Sequence, residues 1–258
     1  MKYLVLLLIP LCSTLTAQRM TKPPAAYCDP ATGLCTPAPL GEPAAPVAFR
    51  DDAEIIYVGD PMCSWCWGIS PALNRLEDAA AANGIPYRIV LGGLRPGGGD
   101  EWTPEFRDYL QHHWEQVTAR SGQPFGEKLF GLPDFNYDTE PSCRAVVVAR
   151  QLQPEAESRF FELTQYRFYV LNEDPKEVEF YRPICAETGI DFAAFSERFA
   201  SPAAKAATME DFKLNRSWGV SGYPTVIFRK GEQLYAIARG FAGFEDMWGA
   251  VEGILEGE

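Results

Sequence analysis

Two cysteines separated by two residues, in Cys63-Ser64-Trp65-Cys66, carry the strongest chemical signal in the chain. Such a pair does thiol–disulfide exchange when it stands where a strand ends and a helix begins. Exchange needs a thiolate, and a free cysteine is mostly protonated at neutral pH. A helix N-terminus presents unpaired N–H groups and about half a positive charge, which favours the thiolate. Cys63, at that end, is expected to be the more exposed nucleophile. Cys66, one turn deeper, is placed to attack a mixed disulfide and close the pair. The competing chemistry is a zinc half-site, which needs a second pair of ligands. The chain has no second C-x-x-C, and its two histidines, His112 and His113, are adjacent. Redox exchange therefore outweighs a metal site, with an inert pair of core cysteines as the remaining alternative. Exchange of this kind requires no metal and no organic cofactor.

Other residues carry weaker signals. Gly92-Gly93-Leu94-Arg95-Pro96-Gly97-Gly98-Gly99 is a glycine-rich loop of the kind that can cradle phosphate. It lacks a Gly-Lys-Ser/Thr ending and no helix follows at once, so a flexible loop near the active face is the favoured reading. Arg95 would remain free to help bind an anionic group. One of His112 and His113, beside Trp114, would be a proton shuttle if it pointed at the cysteines; packing or solvent exposure is the commoner fate. Trp65 and Trp67 either give the cysteines an apolar rim for unfolded substrates or pack the helix. Cys143 and Cys185 read equally as isolated buried thiols or as one disulfide. Cys28 and Cys35 flank Asp29-Pro30-Ala31-Thr32-Gly33-Leu34, where Asp-Pro and Thr-Gly are turn signals. A structural disulfide leads there, ahead of an auxiliary redox pair or two soft ligands for copper.

The elements that must position Cys63 and Cys66 are legible as patterns. Ile55-Ile56-Tyr57-Val58 is a short apolar, β-rich run that reads as a buried strand, and Gly59-Asp60-Pro61 ends it. A helical pattern rich in Ala and Leu covers residues 64–83, and Gly84 stops it. Tyr87-Arg88-Ile89-Val90-Leu91 is a second strand, so the unit is β-α-β with parallel strands and a right-handed crossover. Helical spacing or helix-start prolines then mark residues 104–120, 143–151, 154–170, 176–187 and 202–218. Thr225-Val226-Ile227-Phe228 and Gln233-Leu234-Tyr235-Ala236-Ile237 are strands joined by a hairpin turn at Lys230-Gly231-Glu232, and residues 244–255 form a last helix. The outer pieces predict one mixed sheet with helices on its faces. The middle block reads as an insertion outside the sheet.

Asp60-Pro61-Met62-Cys63-Ser64-Trp65-Cys66-Trp67-Gly68, between a strand and a helix, resembles the DsbA-like branch of the thioredoxin superfamily. Within that branch it is similar to the protein-disulfide isomerases with a C-S-W-C-W-G active site. The resemblance covers residue 54 to the C-terminus. It implies an α/β, thioredoxin-like fold with a large helical insertion. Residues 54–99 and 220–258 would be the thioredoxin-like parts, and residues 100–219 the insertion. Gly222-Tyr223-Pro224-Thr225 matches a second family element, a cis-proline facing the C-x-x-C. Tyr223 would then pair in strand-like fashion with a substrate peptide beside Pro224, and Trp65 would join the substrate surface. Strongly oxidising relatives carry Pro-His between the cysteines, whereas this chain has Ser64-Trp65, and Asp60 nearby opposes a thiolate. Oxidation, reduction and isomerisation all stay open.

Composition narrows the partners. The chain has 258 residues, 47% apolar and 22% charged, as expected of an ordinary soluble globular protein. A net charge of -12 without a long basic run argues against nucleic acid. Lys2 and the apolar residues 4–11 read as a signal peptide cut after Ala17. The run is too short to span a bilayer, and a lipid on Cys12 is the lesser alternative. Residues 18–53, interrupted by prolines, read as a tether. Six of the seven cysteines survive such a cut, an even count that fits an oxidising compartment, the periplasm or cell envelope. The leading expectation is a thiol–disulfide oxidoreductase acting on cysteine-bearing polypeptides and reset by a redox partner. A glutathione-using isomerase or transferase of the same fold, and a copper-handling protein using Cys28 and Cys35, are the alternatives. The first of these commonly carries Ser in place of the first cysteine.

Overall fold

The computed structural model describes residues 50–257, together with the backbone of two short strands, β1 (Tyr27–Cys28) and β2 (Cys35–Thr36). These two strands pair antiparallel, with Cys28 opposite Cys35. The leader, Cys12, most of the tether and the side chains of Cys28 and Cys35 lie outside the described residues.

The main sheet has four strands in the order β4 (Tyr87–Leu91), β3 (Ala53–Gly59), β5 (Thr225–Lys230), β6 (Gln233–Arg239). β3 and β4 run parallel, and the other two pairings are antiparallel. The period-2 alternation of β3 sorts its side chains between two cores. Ile55 and Tyr57 face a large cluster with Ile69, Leu73 and Phe228, whereas Ile56 and Val58 face a smaller one with Val90 and Ile227. Both faces are covered, so β3 reads as a continuous apolar run.

The helices are α1 (Ser64–Ala82), α2 (Pro104–Ser121), α3 (Glu140–Leu152), α4 (Glu157–Tyr169), α5 (Arg182–Thr188), α6 (Phe192–Phe199), α7 (Pro202–Ser217) and α8 (Phe244–Glu256). Among the described residues, the segment from α2 to α7 contributes no strand to the sheet. Leu214 and Trp218, at the end of α7, pack on the smaller sheet core. A third, aromatic-rich cluster unites Met62 and Trp67 with Trp114, Phe135, Phe168 and Tyr169.

Several boundaries differ from the sequence reading. The helix expected at 143–151 starts at Glu140, because Pro141 suits a first turn. Residues 154–156 and 178–181 are 3-10 turns that precede α4 and α5. α6 is an element beyond those expected. It is started by Asp191, whose carboxylate accepts from the Ala194 N–H at 2.8 Å. The hairpin is tighter than expected: Lys230 and Gln233 pair directly, which leaves a two-residue turn with Gly231 at φ +57°.

Candidate active site

Cys63 is the N-cap of α1, with extended backbone and no side-chain bond closing the cap. The first turn of α1 holds no acidic residue, and the carboxylate nearest the helix start is that of Asp60, on the Met62 N–H. Cys63 keeps 5% of its surface exposed and Cys66 none, so an approaching thiol or disulfide meets Cys63 first. Both are free thiols. The Cys63 thiol donates to the Tyr223 carbonyl at 3.6 Å, and the Tyr223–Pro224 bond is cis. The two sequence elements, 160 residues apart, thus meet at one point.

Asp60 organises the approach to α1. Its Oδ1 accepts from the Met62 N–H at 2.8 Å, and its backbone carbonyl accepts from the Cys63 N–H at 3.0 Å. Its Oδ2 accepts from the Leu94 N–H at 2.7 Å and from the Cys143 thiol at 3.3 Å. Tyr137 completes the hold by donating to the Met62 carbonyl at 2.8 Å. Asp60 is fully buried, and burial raises its carboxyl above the usual carboxylate range against the opposing pull of these donors. Burial also pushes the Cys66 thiol well up, and neighbouring Cys63 adds to the rise. The Tyr57 hydroxyl acts the other way on Cys66.

Tyr223 is fixed from below. Its hydroxyl donates to the Gly92 carbonyl at 2.6 Å and lies 3.2 Å from Asn215 Oδ1. A Cβ on Gly92 would meet the Tyr223 ring at 2.5 Å, so only glycine lets the ring settle there. Asn215 Nδ2 in turn donates to the carbonyls of Leu91 at 2.9 Å and Gly92 at 3.3 Å.

The tryptophans divide. Trp65 is half-buried and meets Phe241 edge-on at 6.2 Å, with Arg120 over the Phe241 ring at 4.9 Å. Trp67 is buried and stacks on Tyr169, and its indole N–H donates to the Pro124 carbonyl at 3.0 Å. Pro71 lies inside α1 and has no N–H to offer the carbonyl four residues back. That carbonyl, on Trp67, accepts instead from Ser70 Oγ at 2.9 Å and Gln123 Nε2 at 3.1 Å.

The weaker sequence candidates fall elsewhere. His112 and His113 bond within α2, to Gln116 and to the Tyr109 carbonyl. Gly97 and Gly99 direct their N–H groups at Asp138 and Asn136, and Arg95 pairs with Asp100, so the glycine-rich loop is already occupied by this chain's own acceptors. Cys143 and Cys185 are separate buried thiols rather than a disulfide. No group of three or more metal-binding side chains occurs among the described residues. Sequence reasoning sees Asp60 as a charge and misses it as a hub, because its partners Leu94, Thr139 and Cys143 are distant in the chain.

Residues 54–251 match the DSBA-like thioredoxin domain. A candidate protein disulfide isomerase from Nitrosomonas europaea is 32% identical, with a TM-score of 0.74 over 81% of this chain and 100% of that one. The cytosolic disulfide reductase DsbM from Pseudomonas aeruginosa shares the fold at 24% identity, with a TM-score of 0.64 over 80% of this chain and 100% of that one. The ClpXP adapter protein SpxH of Shouchella clausii is 23% identical over 206 residues, which are 78% of this chain and 65% of that protein. The chain therefore spans slightly under two thirds of the length of that curated relative.

Proposed function

The chain belongs to the DSBA-like thioredoxin domain family, and from that premise we propose that it is a thiol–disulfide oxidoreductase working through Cys63 and Cys66. The observation that carries the reading is Cys63 at an uncapped helix start, 3.6 Å from the carbonyl that precedes Pro224. Cys63 forms the mixed disulfide with a cysteine-bearing polypeptide, which lies along Tyr223 and Pro224 with Trp65 at its edge. Cys66 resolves the mixed disulfide, and a separate redox partner resets the pair. The direction is reducing. A strongly oxidising pair needs a stabilised thiolate. Here the chain places a fully buried carboxyl, Asp60, three residues before Cys63 and no histidine between the cysteines.

Titration of the pair against glutathione tests both parts. Reducing and strongly oxidising proteins of this fold stand at about −270 mV and about −120 mV, and the expected potential lies nearer the first. Cys63→Ser abolishes the transition. A Cys63→Ser protein that still exchanges ends the reading, and a midpoint at the oxidising end reverses the direction.

The apolar run at residues 4–11 supports export to the periplasm or cell envelope. Recovery of the protein from the envelope fraction with Gln18 as its first residue is the expected result. Recovery from the cytosol with the leader intact excludes it.

A further inference from the structure

Resolution by Cys66 requires its proton to leave and return, and Cys66 has no exposed surface through which to exchange it. In the same core lie two polar atoms that the fold leaves unpaired. Tyr57 is 2% exposed and shares a buried core with Cys66, and its hydroxyl, which favours the Cys66 thiolate, has no hydrogen-bond partner. Gln165 is 1% exposed, and its amide nitrogen likewise has no partner. Two orphaned polar atoms in one core are costly, so a partner for them is to be expected. Both residues line the same cavity of about 20 Å³, which Ser70, Asn74, Glu77 and Ser158 also bound. That volume accommodates one water, and a buried water needs two to four polar neighbours. Asn74 is exposed and Glu77 half-buried, so the cavity reaches the surface along α1. Gly59 contributes as well: a Cβ there would overlap the phenol end of Tyr57, which occupies that space.

We propose that Tyr57, a water held with Gln165 in this cavity, and Glu77 form the proton path of Cys66. The proposal rests on the oxidoreductase reading. In the reducing direction, Cys63 is already bonded to a substrate sulfur. The Cys66 proton passes to the Tyr57 oxygen as the Tyr57 proton passes to the water, and the water gives one to the Glu77 carboxylate. The Cys66 thiolate then attacks Cys63 Sγ. The Cys63–Cys66 bond forms, the Cys63–substrate bond breaks, and the substrate sulfur leaves with the electron pair as a thiolate. The protein dithiol is oxidised and the substrate disulfide reduced. Because Tyr57 gives and takes a proton together, it need not ionise, which suits a phenol that burial holds far above its usual range. Glu77 titrates among stated neighbours. The Ser158 hydroxyl donates to it at 2.8 Å, Asp78 and Glu162 oppose its charge, and Tyr87 faces it across the cavity. Burial above all, and then the two like charges, raise its carboxyl against the pull of the Ser158 hydroxyl.

The test separates the two chemical steps with dithiobis(nitrobenzoate). Attack by Cys63 releases one coloured thiolate, and resolution by Cys66 releases the second. Tyr57→Phe removes only the hydroxyl and keeps the ring against Phe161, 5.6 Å away. It is expected to leave the first release unchanged and slow the second by roughly 100-fold. Glu77→Gln, which keeps an acceptor for the Ser158 hydroxyl, slows the second release and removes one inflection from its pH profile. A second release in Tyr57→Phe with wild-type rate and pH profile, behind a normal first release, overturns the path alone. A wild-type first release no faster than that of a free peptide thiol overturns the oxidoreductase reading, and the path with it.

Discussion

Cys66→Ala is expected to leave the protein covalently joined to its substrates through Cys63. Cys63 at the head of α1 still attacks, since its position at the N-cap and beside Tyr223 does not depend on the Cys66 sulfur. What disappears is the internal nucleophile one turn deeper. Well-oriented intramolecular attack reaches effective molarities of about 10⁵ M, whereas a solvent thiol acts at its actual concentration. The lifetime of the mixed disulfide therefore lengthens by orders of magnitude. Non-reducing gels of the variant should show added bands that collapse on reduction, with mass spectrometry placing the linkage at Cys63. Cys143 and Cys185 are buried, and burial raises both thiols, to about 12 for Cys185, so they stay silent. Adducts on either of those residues, or none at all, would sink the assignment of roles.

The second large effect is on stability. Arg150 on α3 donates to Glu157 Oε1 at 2.7 Å and, through both terminal nitrogens, to Asp211 at 3.2 and 2.7 Å. Both acidic residues are 9% exposed. Arg150→Met leaves two buried charges without a cation, which costs about 3–5 kcal/mol. The loss depends on pH. Burial pushes the Glu157 carboxyl to about 7 even with Arg150 beside it, and removal of the arginine raises it further. Between that value and the unfolded one, near 4.3, the folded chain holds a proton that the unfolded chain has lost. Stability of the variant therefore recovers as pH falls and is lowest above neutrality. Urea unfolding at about pH 5 and pH 8 measures this. Equal losses at the two pH values would show that burial of unpaired charge is not the cause. The effect also reaches the active site. Asp211 Oδ2 accepts from the Leu91 N–H at 3.0 Å, and Asn215 one turn on holds Leu91 and Gly92, on which Tyr223 rests.

How much of this is legible in the sequence follows the range of the interactions. Strands β3 to β6 are placed within a few residues because they are short β-rich runs bounded by turn residues. Cys63, Cys66, Tyr223 and Pro224 are visible because a C-x-x-C at a strand–helix junction and a proline opening a strand are local signals. α6 escapes because it is short and aromatic-rich, so its start rests on a single capping aspartate. The hub role of Asp60 and the cavity of Tyr57, Glu77 and Gln165 are not legible. Their meaning lies in contacts between α1, α4 and the sheet, and no spacing along the chain encodes which buried hydroxyl will lack a partner.

The N–H that Pro71 lacks has a mechanical consequence, because it leaves the Trp67 carbonyl to bond outside α1. Residues on both sides of the proline pack in the sheet core, and the opening turn is in addition tied to the segment after α2 by Gln123 and by the Trp67 indole on Pro124. Both sulfurs lie in the same core as Ile55 and Tyr57 of the sheet, and the carbonyl that meets Cys63 is anchored through Tyr223 to Gly92, just after β4. Strain on the segment after α2 would thus reach the opening turn of α1, and with it Cys66, through Gln123 and Trp67.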